Sequence, residues 1–158
     1  MAEVLSFNRQ GSKVEIYAQL LPQIKSLLAS ESDVIANLAN ISAVLKEAFD
    51  FHWIGFYRVQ QHELVLGPFQ GPVACTRIQK GKGVCGSAWQ QGTTIVVPDV
   101  DQFPGHIVCS SLSRSEIVVP YFDIDGNVAG VLDIDSDRLD AFSAIDQLWL
   151  EKIAVLLQ

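Results

Sequence analysis

A chain of 158 residues, 49% apolar and 18% charged, has the length of one domain with a sizeable core and is too apolar to be a disordered segment. Its formal net charge of −7 argues against a polyanion such as nucleic acid as a partner. It shows no cleavable secretory leader, no apolar run near the ~20 residues that span a bilayer, and an odd count of three cysteines. The expectation is a cytoplasmic protein, off the membrane and without a structural disulfide framework.

The expected unit is a single domain over residues 1–158, with 1–12 as a loose amino-terminal arm. From Lys13, the residues Ile16, Leu20, Ile24, Leu27 and Leu28 recur at helical spacing, with Pro22 kinking or restarting the helix. Ser32 or Asp33 caps a second helix whose apolar face is Val34, Leu38, Ile41, Leu45 and Phe49. The period then falls to two. Phe51 to Val59 reads as a strand with Phe51, Trp53, Gly55, Tyr57 and Val59 on one face, and Glu63 to Leu66 returns as its hairpin partner.

After the turn-rich Gly67 to Pro72, Val73 to Ile78 reads as a third strand, Gly86 to Gln91 as a short helix and Thr94 to Val97 as a fourth strand. Asp99 to Ser113 has no periodicity, and an irregular stretch of that length in a compact domain points to function or disorder. Ser115 to Phe122 and Val128 to Asp135 form the last two strands around the turn at Asp123 to Asn127. A closing helix over Phe142 to Leu157 turns Phe142, Ile145, Leu148, Trp149, Ile153 and Leu156 inward. Terminal helices around a mostly antiparallel sheet make an α/β (α+β) sandwich.

The chemistry concentrates between Gly67 and Pro120, which holds Cys75, Cys85 and Cys109. Cys109 follows His106 among Ser110, Ser111 and Ser113, polar neighbours that leave it reachable as a thiolate nucleophile. Cys85 stands at the start of a predicted helix, where backbone amides lower a thiol pKa. Cys75 lies within a predicted strand, which favours a core role. For each of them a small buried hydrophobe is the competing reading. Zinc is disfavoured: His106 and Cys109 are three apart, but Cys75 and Cys85 lack the spacing of a paired-ligand knuckle and no fourth ligand stands out, so no metal is expected.

Asp133 and Asp135, two apart on a strand, share one side of the sheet, and Glu116 opens the neighbouring strand. Acids converging on a cleft repel one another, raise at least one pKa and leave a proton to donate. Trp53 and Tyr57 on one strand face are core packing or the wall of an apolar pocket.

These motifs, Gly67-Pro68-Phe69-Gln70-Gly71-Pro72-Val73-Ala74-Cys75, Gly81-Lys82-Gly83-Val84-Cys85-Gly86, Phe103-Pro104-Gly105-His106-Ile107-Val108-Cys109 and Ser115-Glu116-Ile117-Val118-Val119-Pro120, resemble the free methionine-(R)-sulfoxide reductases. These are GAF-domain enzymes that reduce the free amino acid. The resemblance runs over nearly the whole chain, and all three cysteines and Glu116 match the family pattern.

It implies a GAF-like sandwich with a central sheet of about six strands. It implies Cys109 as nucleophile, Cys85 as resolving cysteine and Cys75 as an auxiliary one. Glu116, Asp133 and Asp135 bind and polarise the sulfoxide, and Trp53 and Tyr57 enclose the substrate's methyl group. No cofactor is bound, thioredoxin serves as external reductant, and two copies pair through the terminal helices. Whether Cys85 or Cys75 reaches Cys109 stays open. A GAF module that senses a small molecule without chemistry, and a redox sensor that switches a partner, are the alternatives to an enzyme.

Overall fold

Three helices begin where the sequence supplies a cap. Helix α1 (Lys13–Leu28) opens with Ser12 and Glu15 in a reciprocal capping box, and α2 (Val34–Phe49) with Asp33 accepting from the amides of Ile35 and Ala36. The last helix, α4 (Ala144–Val155), repeats the capping box with Ser143 and Asp146. The computed structural model describes residues 4–158. Helix α1 runs through Pro22 without restarting.

The amino-terminal arm is docked from Ser6 to Asn8: the amides of Ser6 and Asn8 donate to the side chains of Gln23 and Gln19 at 2.9 and 2.8 Å. The first three residues of that expected loose arm lie outside the described residues.

Six strands form one sheet in the order β3-β2-β1-β6-β5-β4, every neighbouring pair antiparallel: β1 (Trp53–Gln60), β2 (Glu63–Gln70), β3 (Arg77–Gln79), β4 (Ile95–Val97), β5 (Ser115–Phe122) and β6 (Val128–Ser136). Helices α2 and α4 cover one face, over Ile54, Phe56, Ile117, Val119, Leu132 and Ile134, and α1 packs against both helices. The other face carries Trp53, Tyr57, Val118 and Val131, against the short helix α3 (Gly83–Gln91).

Several local expectations shift. Strand β2 continues through Gly67 and Pro68, read from sequence as a turn. Its register with β1 slips by one residue between the Gly55–Phe69 and Tyr57–Leu66 pairs, a bulge that absorbs the proline. Strand β3 holds only Arg77 to Gln79, which leaves Cys75 outside it. Phe51 precedes β1 and packs into the helix-side core, away from Trp53 and Tyr57.

Helix α4 is also rotated from the expected phase. Ile145 and Leu148 are 39% and 53% exposed, while Asp146 and Leu150 are fully buried. The cause is polar. Asp146 accepts from the Tyr17 hydroxyl at 2.9 Å and from Lys13 Nζ at 2.8 Å, and those bonds pin the first turn.

Candidate active site

Strand register builds the site. Across β1, β6 and β5, Trp53 lies opposite Asp135, and Asp135 opposite Glu116. One step along the same face, Gly55 lies opposite Asp133, and Asp133 opposite Val118. Directly opposed residues share a sheet face. Asp133 and Asp135, placed together by alternation, are therefore joined by Glu116 through strand register, with the two aromatics beside them.

Gly55 makes the aromatic wall possible. A Cβ there would come within 2.7 Å of Trp53 Cη2 and would also collide with Phe69, so the indole lies over the glycine. Trp53 stacks between Phe69 and Tyr57, with ring centroids 5.3 and 6.0 Å away. The polar ends of both aromatics point to the segment that carries Cys75. Trp53 Nε1 donates to the Pro72 carbonyl at 3.0 Å and the Tyr57 hydroxyl donates to the Cys75 carbonyl at 2.8 Å.

Opposite that wall, the stretch between the 3-10 turn Val100–Gln102 and β5 crosses the mouth of the cleft. The His52 ring shares a hydrogen bond of 3.1 Å with Ser110 Oγ, which ties this loop to the approach to β1. Gly83 opens α3 with a φ of +61°, and a Cβ there would press on Ile107 of the loop at 3.1 Å. Trp53, Tyr57, Cys85, His106, Cys109, Glu116, Asp133 and Asp135 all line one cleft of about 510 Å³ including its open mouth.

Cys75 and Cys109 are joined by a disulfide, their Cα atoms 5.3 Å apart. Cys85 is free and buried. The resemblance implies Cys85 as the resolving cysteine while leaving open whether Cys85 or Cys75 reaches Cys109. In the structure the bond is to Cys75, whose carbonyl accepts from the Tyr57 hydroxyl, while Cys85 faces the acids. Cys109 lines the cleft and Cys75 does not.

The expected lowering of the Cys85 pKa is reversed. Its side chain faces carboxyls, with Sγ 4.0 Å from Glu116 Oε1. Burial, then the charges of Asp133, Glu116 and Asp135, push the thiol well up. The helix start at Gly83 leaves the side chain two residues into the first turn and turned toward the sheet.

Burial also drives all three acids well above the carboxylate range. For Glu116 the charge of Asp135 adds to it, for Asp133 that of Glu116, and for Asp135 that of Asp133, with a bond from Ser113 opposing. The floor of the cleft therefore favours the protonated form of its acids over that of an exposed carboxyl. His106 moves the other way, its pKa lowered by burial against the opposing charge of Asp101. Its Nε2 is 3.6 Å from Glu116 Oε2, too long for a hydrogen bond.

Sequence reasoning singled out neither Gly55 as a packing site nor His52 or Ser113 as supports. A glycine between two strand aromatics was the available signal for the first; the other two depend on a loop path that no spacing encodes.

A GAF domain model matches residues 33–158. Over 158 residues the chain is 60% identical to GAF domain-containing protein A of Dictyostelium discoideum, covering 99% of each. It is 42% identical to the free methionine-R-sulfoxide reductase of Saccharomyces cerevisiae, covering 99% of this chain and 91% of that protein. Among solved structures, free methionine-R-sulfoxide reductase from Neisseria meningitidis in complex with its substrate superposes with a TM-score of 0.94 at 56% identity, covering 98% of this chain and 92% of that one.

Proposed function

This chain belongs to the GAF-domain family of free methionine-R-sulfoxide reductases, and from that membership we propose that it reduces free L-methionine-(R)-sulfoxide to methionine by thiol chemistry in the cleft. The observation that supports the chemistry is the Cys75–Cys109 disulfide at the mouth of a cleft floored by Glu116, Asp133 and Asp135.

Protonated Glu116 or Asp135 donates to the sulfoxide oxygen and makes the sulfur electrophilic. The Cys109 thiolate attacks that sulfur, methionine departs with its sulfur reduced, and the oxygen remains on Cys109 as a sulfenic acid. The Cys75 thiol displaces that oxygen as water and forms the disulfide. A thioredoxin-type dithiol then attacks the disulfide, leaves as its own disulfide and returns both thiols. The electrons enter through that dithiol, and no step calls for a metal or a bound organic cofactor. In this reading Cys75, not Cys85, resolves the sulfenic acid.

Selectivity follows from what surrounds the sulfur. Oxygen on the acids and methyl against Trp53 and Tyr57 fix one stereochemistry. The substrate's ammonium group is drawn to the acidic floor. Lys82, the one lysine or arginine lining the cleft among the described residues, suits its carboxylate. A peptide-bound sulfoxide lacks both charged ends. A reducing cytoplasm suits this cycle, and the described helices include none long and apolar enough to cross a membrane. Exposed Leu148 and Val155 on α4 suit pairing with a second copy through the terminal helices.

The test is turnover of free L-methionine-(R)-sulfoxide with thioredoxin, thioredoxin reductase and NADPH, run beside the S epimer and a peptide-bound sulfoxide. Multiple turnovers of the free R form alone are expected, and they are lost in Cys109→Ser. Silence with all three substrates, or full activity in Cys109→Ser, sinks the reading.

A further inference from the structure

Cys85 is the cysteine outside the disulfide, and none of the steps above uses it. Its Sγ, one carboxylate oxygen of Glu116 and one of Asp133 all lie within 4.8 Å of one another. The three residues are only 4%, 6% and 6% exposed. Independently of that clustering, Asp133 Oδ1 is sealed from solvent and has no hydrogen-bond partner among the described residues. A buried carboxylate oxygen is costly to leave bare, and a cation is the partner that repays it most fully. No lysine or arginine pairs with this cluster among the described residues; the nearest base is His106.

We propose that Cys85, Glu116 and Asp133 form a binding site for a thiophilic divalent cation of the zinc class, and that the bound cation keeps substrate out of the cleft. The donor set selects the metal. Sulfur with carboxylate oxygen suits zinc, whereas magnesium and calcium take oxygen alone. Three protein donors leave a fourth tetrahedral position for His106 Nε2 or a water. Metal–ligand bonds of ~2.0–2.3 Å place tetrahedral donors about 3.5 Å apart, so small side-chain rotations close the site. On binding, the Cys85 S–H proton and any protons held by Glu116 and Asp133 leave to solvent, and the thiolate and carboxylates take the metal with no change in oxidation state.

The exclusion of substrate rests on the reductase reading of the cleft; the binding of metal does not. A dication on Glu116 and Asp133 removes the groups that would meet the sulfoxide and the ammonium.

The oxidised chain makes a clean test, because with Cys75 and Cys109 paired, Cys85 is the free thiol. Cobalt(II) titrated into it is expected to give one ion per chain and a near-ultraviolet sulfur-to-cobalt charge-transfer band, bleached by Zn2+. The Cys85→Ser variant is expected to lose the band, and Asp133→Asn to weaken binding at least tenfold, with circular dichroism showing that both are folded. No band in the parent chain at millimolar cobalt, or a band that survives in Cys85→Ser, overturns the site. Zn2+ is also expected to inhibit free-sulfoxide turnover competitively, reversed by a chelator. A metal-binding chain whose turnover ignores Zn2+ overturns the exclusion of substrate. A chain that binds cobalt but never turns over sulfoxide overturns the reductase reading and leaves the site standing.

Discussion

The hydroxyl of Tyr57 donates to the carbonyl oxygen of Cys75 at 2.8 Å, which makes the tyrosine a fastener for one half of the disulfide as well as a wall of the cleft. The segment before β3 that carries Cys75 has one nearby backbone tie, from the Leu66 amide to the Thr76 carbonyl, and the side chains of Trp53 and Tyr57 supply the others. Removing the hydroxyl while keeping the ring should cost about 0.5–1.5 kcal/mol. We expect Tyr57→Phe to fold, bind substrate and form sulfenic acid, but to close the disulfide several-fold more slowly. Rapid-quench thiol labelling after one equivalent of sulfoxide reads that step, and an unchanged rate would mean that the bond does not position Cys75.

The two candidate resolving cysteines separate cleanly by peptide mapping. Cys85→Ser should still yield the Cys75–Cys109 disulfide after one turnover, because the sulfurs that bond are already juxtaposed. Cys75→Ser should instead accumulate Cys109 sulfenic acid, trapped by dimedone. A Cys85–Cys109 bond in the unmodified chain under turnover would restore the assignment implied by the family resemblance.

The acidic floor sets a pH dependence of stability with a definite sign. Glu116, Asp133 and Asp135 all have folded pKa values raised chiefly by burial. Above about pH 4, where unfolded carboxyls lose their protons, the folded state binds more protons than the unfolded one. Stability then falls as pH rises through the folded values. The contribution is favourable at low pH and is lost upward, opposite to that of a salt-bridged carboxylate. Thermal melts should show a declining Tm from mildly acidic to alkaline pH, with a shallower decline in Asp133→Asn. A variant with the parent slope would show that Asp133 ionises freely.

Asp146 is the buried polar anchor on the other side of the sheet. It accepts from Tyr17, from Lys13 and from the Ser143 amide at 2.9, 2.8 and 2.8 Å. Asp146→Ala strands the Tyr17 hydroxyl and removes half of the capping box, at an expected cost of about 2–4 kcal/mol. Asp146→Asn should cost less, since it keeps the shape and an acceptor. Urea midpoints of the two variants check the order, and equal losses would shift the weight from hydrogen bonding to charge.

Gly55→Ala tests the packing of the wall. A methyl group there collides first with Phe69 Cβ, then meets Trp53 Cη2 at 2.7 Å and Phe69 Cα at 2.9 Å, so both the β1–β2 contact and the indole must shift. The expected result is a loss of about 1–3 kcal/mol together with a rise in KM for the free sulfoxide. Parent-like KM would mean that the indole is not part of the substrate's surroundings.

Periodicity and caps were legible because they are local. The ends of β5 and the starts of α1 and α2 follow from residues within a few positions of one another. The shared side of Asp133 and Asp135 follows from the two-residue period of a strand, whereas Glu116 joins them only through the β5–β6 register. The matched motifs pointed to the family for a similar reason, since they are short runs with the cysteines in place. Tertiary structure decided the rest. Gly67 and Pro68 became strand because β1 offered a pairing edge that a bulge could satisfy. Helix α4 took its phase from Tyr17 and Lys13, more than a hundred residues away in sequence. The partner of Cys109 and the direction of the Cys85 pKa depended on which side chains meet across the cleft. Those are contacts between distant segments, and local sequence carries no energy term for them.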